Sequence, residues 1–189
     1  MDLPVAPVLP LRTERLALRA FRPEDADAVL VWQGDPHAVR YVPYGPRDRD
    51  QVVAVMARKV GSTALREEGD LLELAVERAD DGTVIGDLLL VLRSVEHETL
   101  EVGYVFATAQ QGRGYATEAV RALVDLAFST LGARRLVARV DARNAPSRAL
   151  LERLGFRLEA HLVENEWFKG ELGDETDYGL LAREWAARA

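Results

Sequence analysis

Glu101-Val102-Gly103-Tyr104-Val105-Phe106-Ala107-Thr108-Ala109-Gln110-Gln111-Gly112-Arg113-Gly114-Tyr115-Ala116-Thr117-Glu118 decides how this chain is read. An apolar extended run enters a turn with two glycines, and a helix begins directly after it. Glycines at such a turn let the backbone approach a ligand, and the free amides of the helix start, with the helix dipole behind them, suit an anion such as a pyrophosphate. Arg113 adds positive charge to that cradle. A P-loop requires a Lys-Ser/Thr pair after the second glycine, but Tyr115-Ala116 stands there. The dinucleotide fingerprint requires a third glycine and fails as well.

Outward from this segment, the helix that starts near Tyr115 carries Ala116, Ala119, Val120, Leu123, Ala127 and Leu131 on one face. Upstream, Leu71–Glu77 and Val84–Leu92 are apolar runs joined by Asp80-Asp81-Gly82, a hairpin signal, and Leu100–Ala107 is the next strand. Arg15–Phe21 alternates as a strand, Pro23-Glu24-Asp25 opens a first helix, and Asp50–Leu65 has the periodicity of a second. Downstream come a strand at Arg135–Val140, a short helix at Ser147–Leu154 capped by Gly155, and extended runs at Phe156–Phe168 and Thr176–Leu181. The expected architecture is α+β: an antiparallel meander, then a strand-helix-strand unit that adds a parallel pair. It forms a mixed central sheet of about seven strands flanked by about four helices. Residues 1–189 read as a single domain, a length that buries roughly 70% of the unfolded surface, with 1–10 an extended or flexible segment.

Composition narrows the chemistry. Without cysteine, and with His37, His97 and His161 scattered, there is no disulfide, no thiol nucleophile and no metal-ligand spacing. A net charge of -7 speaks against nucleic acid and suits a cationic partner, although mild acidity also simply serves solubility. No run approaches the ~20 apolar residues of a membrane span, and the N-terminal stretch lacks the pattern of a signal peptide, so the expected location is cytoplasmic.

Gln111-x-x-Gly114-x-Ala116 resembles the acetyl-CoA signature of the Gcn5-related N-acetyltransferases (GNAT), at the same strand-to-helix junction. Asn144-Ala145-Pro146-Ser147, running to Leu154-Gly155-Phe156, is similar to that family's second motif. Leu11–Leu16, Phe21–Asp25 and Thr176–Trp185 resemble the opening and closing segments of the branch that acetylates ribosomal-protein N-termini (RimJ/RimL-like). The resemblance implies a sheet splayed at the acetyl-CoA site, between Leu100–Ala107 and Arg135–Val140. It implies that Gln111, Gly112, Arg113, Gly114, Tyr115, Ala116 and Thr117 hold the pyrophosphate. The backbone of Tyr104, Val105 and Phe106 then pairs with the pantetheine, which Asn144 contacts.

The tyrosine that many members use as acid is replaced by Leu151, which leaves Ser147, the branch's proposed acid, as the candidate; an ordinary helix-cap hydroxyl is the other reading of that serine. Glu166 and Glu101 compete as base, and each also reads as a surface or salt-bridged carboxylate. Trp32, Tyr41, Tyr44 and Trp167 are expected along the acceptor groove, with core packing the alternative for Trp32. The expected reaction is direct attack of a primary amine on acetyl-CoA, a peptide N-terminal α-amine in first place. A polyamine, amino acid or antibiotic is second, and a non-catalytic acetyl-CoA sensor is the reading from another class. Relatives also suggest a homodimer.

Overall fold

The structure, a computed structural model, describes residues 1–188. Eight strands form one sheet: β1 (Leu11–Arg12), β2 (Leu16–Arg19), β3 (Leu71–Arg78), β4 (Val84–Ser94), β5 (Thr99–Phe106), β6 (Arg135–Asp141), β7 (Arg157–Phe168) and β8 (Glu171–Leu181). Five helices accompany them: α1 (Ala26–Gln33), α2 (Arg49–Gly61), α3 (Tyr115–Ser129), α4 (Ala145–Leu154) and α5 (Ala182–Ala186). The sheet order is β1-β2-β3-β4-β5-β6-β8-β7, antiparallel throughout except for the parallel β5–β6 pair that α3 connects. The mixed sheet expected from sequence is therefore present, with one strand more because the short Leu11–Arg12 segment pairs with β2.

Helices α2 and α4 begin where a side chain satisfies a free amide. Asp48 accepts from the Gln51 amide at 2.9 Å while Gln51 accepts from the Asp48 amide at 3.0 Å, a reciprocal cap for α2. Asn144 accepts from the Ser147 amide at the start of α4, and Gly155 closes that helix at φ +92°, where a side chain would be strained. Helix α2 stops at Gly61, four residues short of expectation, because Leu65 leaves the helical path to bridge Val5. That bridge, with the Met1 ammonium paired to Glu98, pins the N-terminal segment, which is extended and packs Met1, Leu3, Val5 and Leu9 against the core. Strand β8 begins five residues earlier than expected, because Lys169 (φ +53°) and Gly170 (φ +91°) turn the chain straight back after β7.

The sheet is covered on both faces. The buried side of α3 (Ala119, Val120, Leu123, Val124, Ala127) and of α4 (Leu150, Leu151, Leu154) packs on Leu72, Leu74, Leu88, Leu90, Leu100, Leu136 and Tyr178. On the opposite face Val29 and Trp32 of α1 and Val52 and Met56 of α2 pack on Phe21, Ala75 and Ala107. Two buried ion networks lie on this second face. Arg19 forms a two-pronged pair with Asp25 at 2.7 and 2.8 Å, and the Lys59 ammonium sits between Glu73 at 2.8 Å and Asp87 at 2.9 Å. Removing one partner of such a group leaves an uncompensated charge, so these pairs fix how α1 and α2 seat on the sheet.

Candidate active site at the strand gap

The parallel pair is short. Thr99, Leu100 and Glu101 of β5 lie opposite Arg135, Leu136 and Val137 of β6, and there pairing ends. Strand β5 continues along β4 as far as Phe106 opposite Gly86, while β6 continues along β8 as far as Asp141 opposite Glu175. The strands part, and a gap opens between Val102–Phe106 on one wall and Ala138–Asp141 on the other. Backbone groups on an antiparallel strand point alternately toward and away from the partner. Ala107 donates to Ile85 of β4, so Val105 and Gly103 also turn to β4, whereas the amides and carbonyls of Val102, Tyr104 and Phe106 face the gap. This corrects one expectation: the amides of Tyr104 and Phe106 and the Tyr104 carbonyl face the open gap, whereas the backbone of Val105 is already used within the sheet. Gly86 permits the close approach, since a Cβ there would lie 2.5 Å from the Val105 carbonyl oxygen.

Above the gap, the loop into α3 is braced at both ends. Gln111 Nε2 donates to the Phe106 carbonyl at 3.1 Å, so this side chain holds the loop onto the strand. Glu118 accepts from Thr13 Oγ1 at 2.6 Å and from the Arg15 amide at 2.8 Å and Nε at 2.7 Å, and Arg15 donates in turn to the Arg113 carbonyl at 3.1 Å. Burial alone would push the Glu118 carboxyl up, but these donors outweigh it and hold it below its ordinary value. Arg15 lies 4.7 Å over the Tyr115 ring. Gly112 (φ +74°) and Gly114 (φ +83°) take the left-handed conformation that this turn needs. The first bond closing α3 runs from Glu118 to the Gly114 carbonyl, which leaves the Tyr115, Ala116 and Thr117 amides directed out of the helix start. Thr117 Oγ1 accepts from Arg153 of α4 at 3.2 Å, so the two helices meet beside the loop. Such a turn can take a pyrophosphate on its amides, with the exposed Arg113 at its rim.

At the bottom of the gap, on the face of α3 and α4, Tyr104 Oη and Ser147 Oγ are 2.7 Å apart. Burial pushes the Tyr104 phenol up to about 12, so it holds its proton at neutral pH. Asn144, not Ser147, caps α4. The serine hydroxyl is therefore free of a capping role and engaged with a phenol that sequence reasoning had used only for its backbone. A signal was present: Tyr104 falls on the same strand face as the inward Val102 and Phe106. Leu151 is fully buried in the core.

The other face of the gap carries charge. Glu101 is tied to Arg93 at 2.7 Å and to Arg139 at 3.5 Å. Glu166 is exposed on β7, opposite Gly173. Between them in space is Glu175 of β8, a buried carboxylate that sequence reasoning did not single out. Lys169, at the tip of the β7–β8 hairpin, donates to the Val39 carbonyl at 2.5 Å and so ties the hairpin to the loop that carries Tyr41 and Tyr44. Arg40 covers the Tyr41 ring at 5.1 Å. Arg47 covers the Tyr44 ring at 3.9 Å, and burial, reinforced by the Asp87 charge, raises the Tyr44 phenol. Trp167 stands out from the hairpin, 74% exposed. Trp32 has no exposed surface: it packs in the core under α1, so its expected place on the groove wall gives way to the alternative of core packing, because α1 turns this ring toward Phe21 and Met56.

The acetyltransferase (GNAT) domain family matches residues 15–157. An uncharacterized N-acetyltransferase, p20, of Bacillus licheniformis is 33% identical over 93% of this chain and 98% of its own. A putative ribosomal N-acetyltransferase of Bacillus subtilis, YdaF, is 26% identical over 91% of this chain and 94% of its own, and a spermidine N(1)-acetyltransferase of Vibrio cholerae is 26% identical over 56% and 61%. The crystal structure of a GNAT-family acetyltransferase from Bacillus anthracis superposes with a TM-score of 0.84 at 25% identity, covering 93% of this chain and all of that one. Gap, glycine loop and matched family together make this chain a member of the GNAT acetyltransferases, enzymes that carry acetyl from acetyl-CoA to an amine.

Proposed function

We propose that the acceptor is the N-terminal α-amine of a protein or peptide, attacking acetyl-CoA directly with no acyl-enzyme. In this reading the pyrophosphate lies on the amides at Gly112–Thr117, and the pantetheine extends along the gap beside Tyr104 and Phe106. The Asn144 amide group, whose oxygen caps α4, turns its nitrogen to the pantetheine. An amide on the β5 wall polarises the thioester carbonyl, a contribution that is often the largest in such reactions. Ser147, backed by the protonated Tyr104 phenol, supplies a proton to the leaving thiolate. The amine enters from the opposite face, where Glu101 and Glu166 lie and where the loop carrying Tyr41 and Tyr44 meets the β7–β8 hairpin carrying Trp167.

The observation that carries the proposal is the acceptor face itself, where carboxylates are interleaved with Arg93 and Arg139. Such a surface accommodates one ammonium beside a polar peptide backbone better than it does a chain of several ammonium groups. An α-amine has an ordinary pKa of about 8 against about 10.4 for a lysine, so its deprotonation near neutrality costs about 3 kcal/mol less and a carboxylate suffices as base. The test is a thiol-release screen of short peptides, spermidine, free amino acids and aminoglycosides with acetyl-CoA. Peptides are expected to turn over fastest; faster turnover of spermidine or an aminoglycoside would reassign the acceptor.

A further inference from the structure

We propose that Glu175 accepts the proton of the attacking amine, with Asp177 beside it helping to receive the ammonium group. The inference rests on the direct-attack reading above but holds for any primary amine.

Glu175 lies on β8 where two irregularities meet. On one side it is opposite Asp141, the last paired residue of the splayed part of β6. On the other it is opposite Leu162 of β7, after which the register slips: Glu166 is the next residue of β7 to pair, with Gly173. The three residues between are bulged, with Glu164 at φ +50° and its amide bonded to Asp174 at 2.9 Å. Bulges re-aim side chains, and this one turns Asn165 so that its Nδ2 donates to Glu175 Oε1 at 3.2 Å. Glu175 as a residue is 7% exposed, and its second oxygen accepts no hydrogen bond among the described residues. Thr176, Tyr178 and Leu180 point into the core, so Glu175 and Asp177 project from the opposite face, the one that Glu101 and Arg139 occupy. Asp177 also has one oxygen buried without a donor. Two neighbouring carboxylates one strand from the open gap, Glu175 buried and Asp177 half-buried, each with an oxygen that accepts no hydrogen bond among the described residues, fit an incoming ammonium, which brings three donors.

The competing carboxylates are less suited. Glu101 is engaged through one oxygen, Oε2, by the guanidinium groups of Arg93 at 2.7 Å and Arg139 at 3.5 Å, which would have to be displaced by an incoming ammonium. Glu166 is in water. Glu175 is raised above the ordinary carboxylate range by burial first, and by the charges of Asp177, Glu166 and Glu101, which together outweigh the opposing Arg139. Asp141, opposite it on β6, is paired to Arg143 at 2.6 Å. A raised carboxylate is a stronger base once ionised.

In the step proposed, Glu175 takes one proton from the ammonium and passes it to water. The neutral nitrogen forms the N–C bond to the thioester carbon and the C–S bond breaks. The thiolate takes a proton from Ser147, replaced by the proton the nitrogen loses as the amide forms.

Glu175→Gln, Glu166→Gln and Glu101→Gln are compared with wild type on a peptide and on spermidine, with CoA affinity measured by calorimetry. Glu175→Gln is expected to bind CoA within twofold of wild type and to lose roughly 10²- to 10⁴-fold in kcat/KM at pH 7 on whichever amine wild type uses best. The deficit is expected to narrow toward pH 9, where more amine arrives neutral; a merely structural defect has no reason to recover. Glu175→Asp, which keeps the carboxylate, is expected to lose about tenfold with the wild-type pH profile, and it reads the same role if the glutamine variant folds poorly. Full activity of Glu175→Gln, or a loss in that variant that is equal at pH 7 and pH 9, overturns the assignment, as does a Glu175→Asp variant as impaired as Glu175→Gln. A wild-type preference for spermidine, with Glu175→Gln still impaired on it, overturns the acceptor proposal alone.

Discussion

Replacement of Gly114 by valine tests the cofactor loop most directly, and the structure indicates how large each effect is to be. Gly114 sits at φ +83° at the start of α3. A β-branched residue held there costs about 1–3 kcal/mol in backbone strain. Its Cβ meets Arg15 Nη2 at 3.3 Å, the far end of a flexible side chain that can withdraw, so sterics within the protein add little. For a chain of this length the strain corresponds to a melting point lowered by roughly 2–12 °C, which leaves the fold in place. Binding is affected differently. The γ-methyl groups project over the outward Tyr115 and Ala116 amides, and hydrogen bonds to a charged group are worth about 1.5–3 kcal/mol each. Loss of two such bonds weakens CoA by about 10²- to 10⁴-fold. Thermal unfolding followed by circular dichroism reads the first effect and calorimetric titration with CoA the second. A folded Gly114→Val protein that binds CoA as wild type does would show that these amides hold no phosphate.

Tyr104→Phe is expected to slow acetyl transfer by about tenfold or more while CoA affinity holds, and Ser147→Ala to cost more. Because the two hydroxyls are 2.7 Å apart, the double variant should lose less than the product of the single losses, as measured by a kinetic double-mutant cycle; strict additivity would separate them. Arg19→Met is expected to destabilise the protein by about 3–5 kcal/mol at pH 7, because it leaves Asp25 buried and unpaired. Burial opposes ionisation of Asp25, but hydrogen bonds from Arg19 and the Arg22 amide win and hold its carboxyl below the ordinary value. A depressed carboxyl contributes stability that is present above its ordinary pKa of about 4 and lost as pH falls through the lower folded value. Urea unfolding of both proteins should therefore show the difference shrinking below about pH 4, and a gap that is constant down to pH 2 would place the effect in packing instead.

Local chemistry made much of this protein legible in its sequence. The glycine turn between β5 and α3, the Asn144 cap, the Gly155 stop and the amphipathic stripe of α3 are decided within a few residues of each other, by steric freedom, free amides and helical period. The parallel pair followed from the strand-helix-strand order. Other features depend on residues far apart in the chain. Strand β8 inserts between β6 and β7, and this alone brings Glu175 and Asp177 within one strand of the gap; nothing within Gly173–Tyr178 marks it. Helix α2 ends at Gly61 because Leu65 is claimed by Val5, sixty residues earlier. Trp32 is core and not groove because α2 and β3 close over it. Ser147 meets a phenol forty-three residues away, and Glu101 is tied down by arginines from two other strands. Which carboxylate stays paired, which stays wet and which is left buried with an oxygen to spare is a matter of neighbours, and neighbours across a sheet are chosen by strand order and register, which no local pattern encodes.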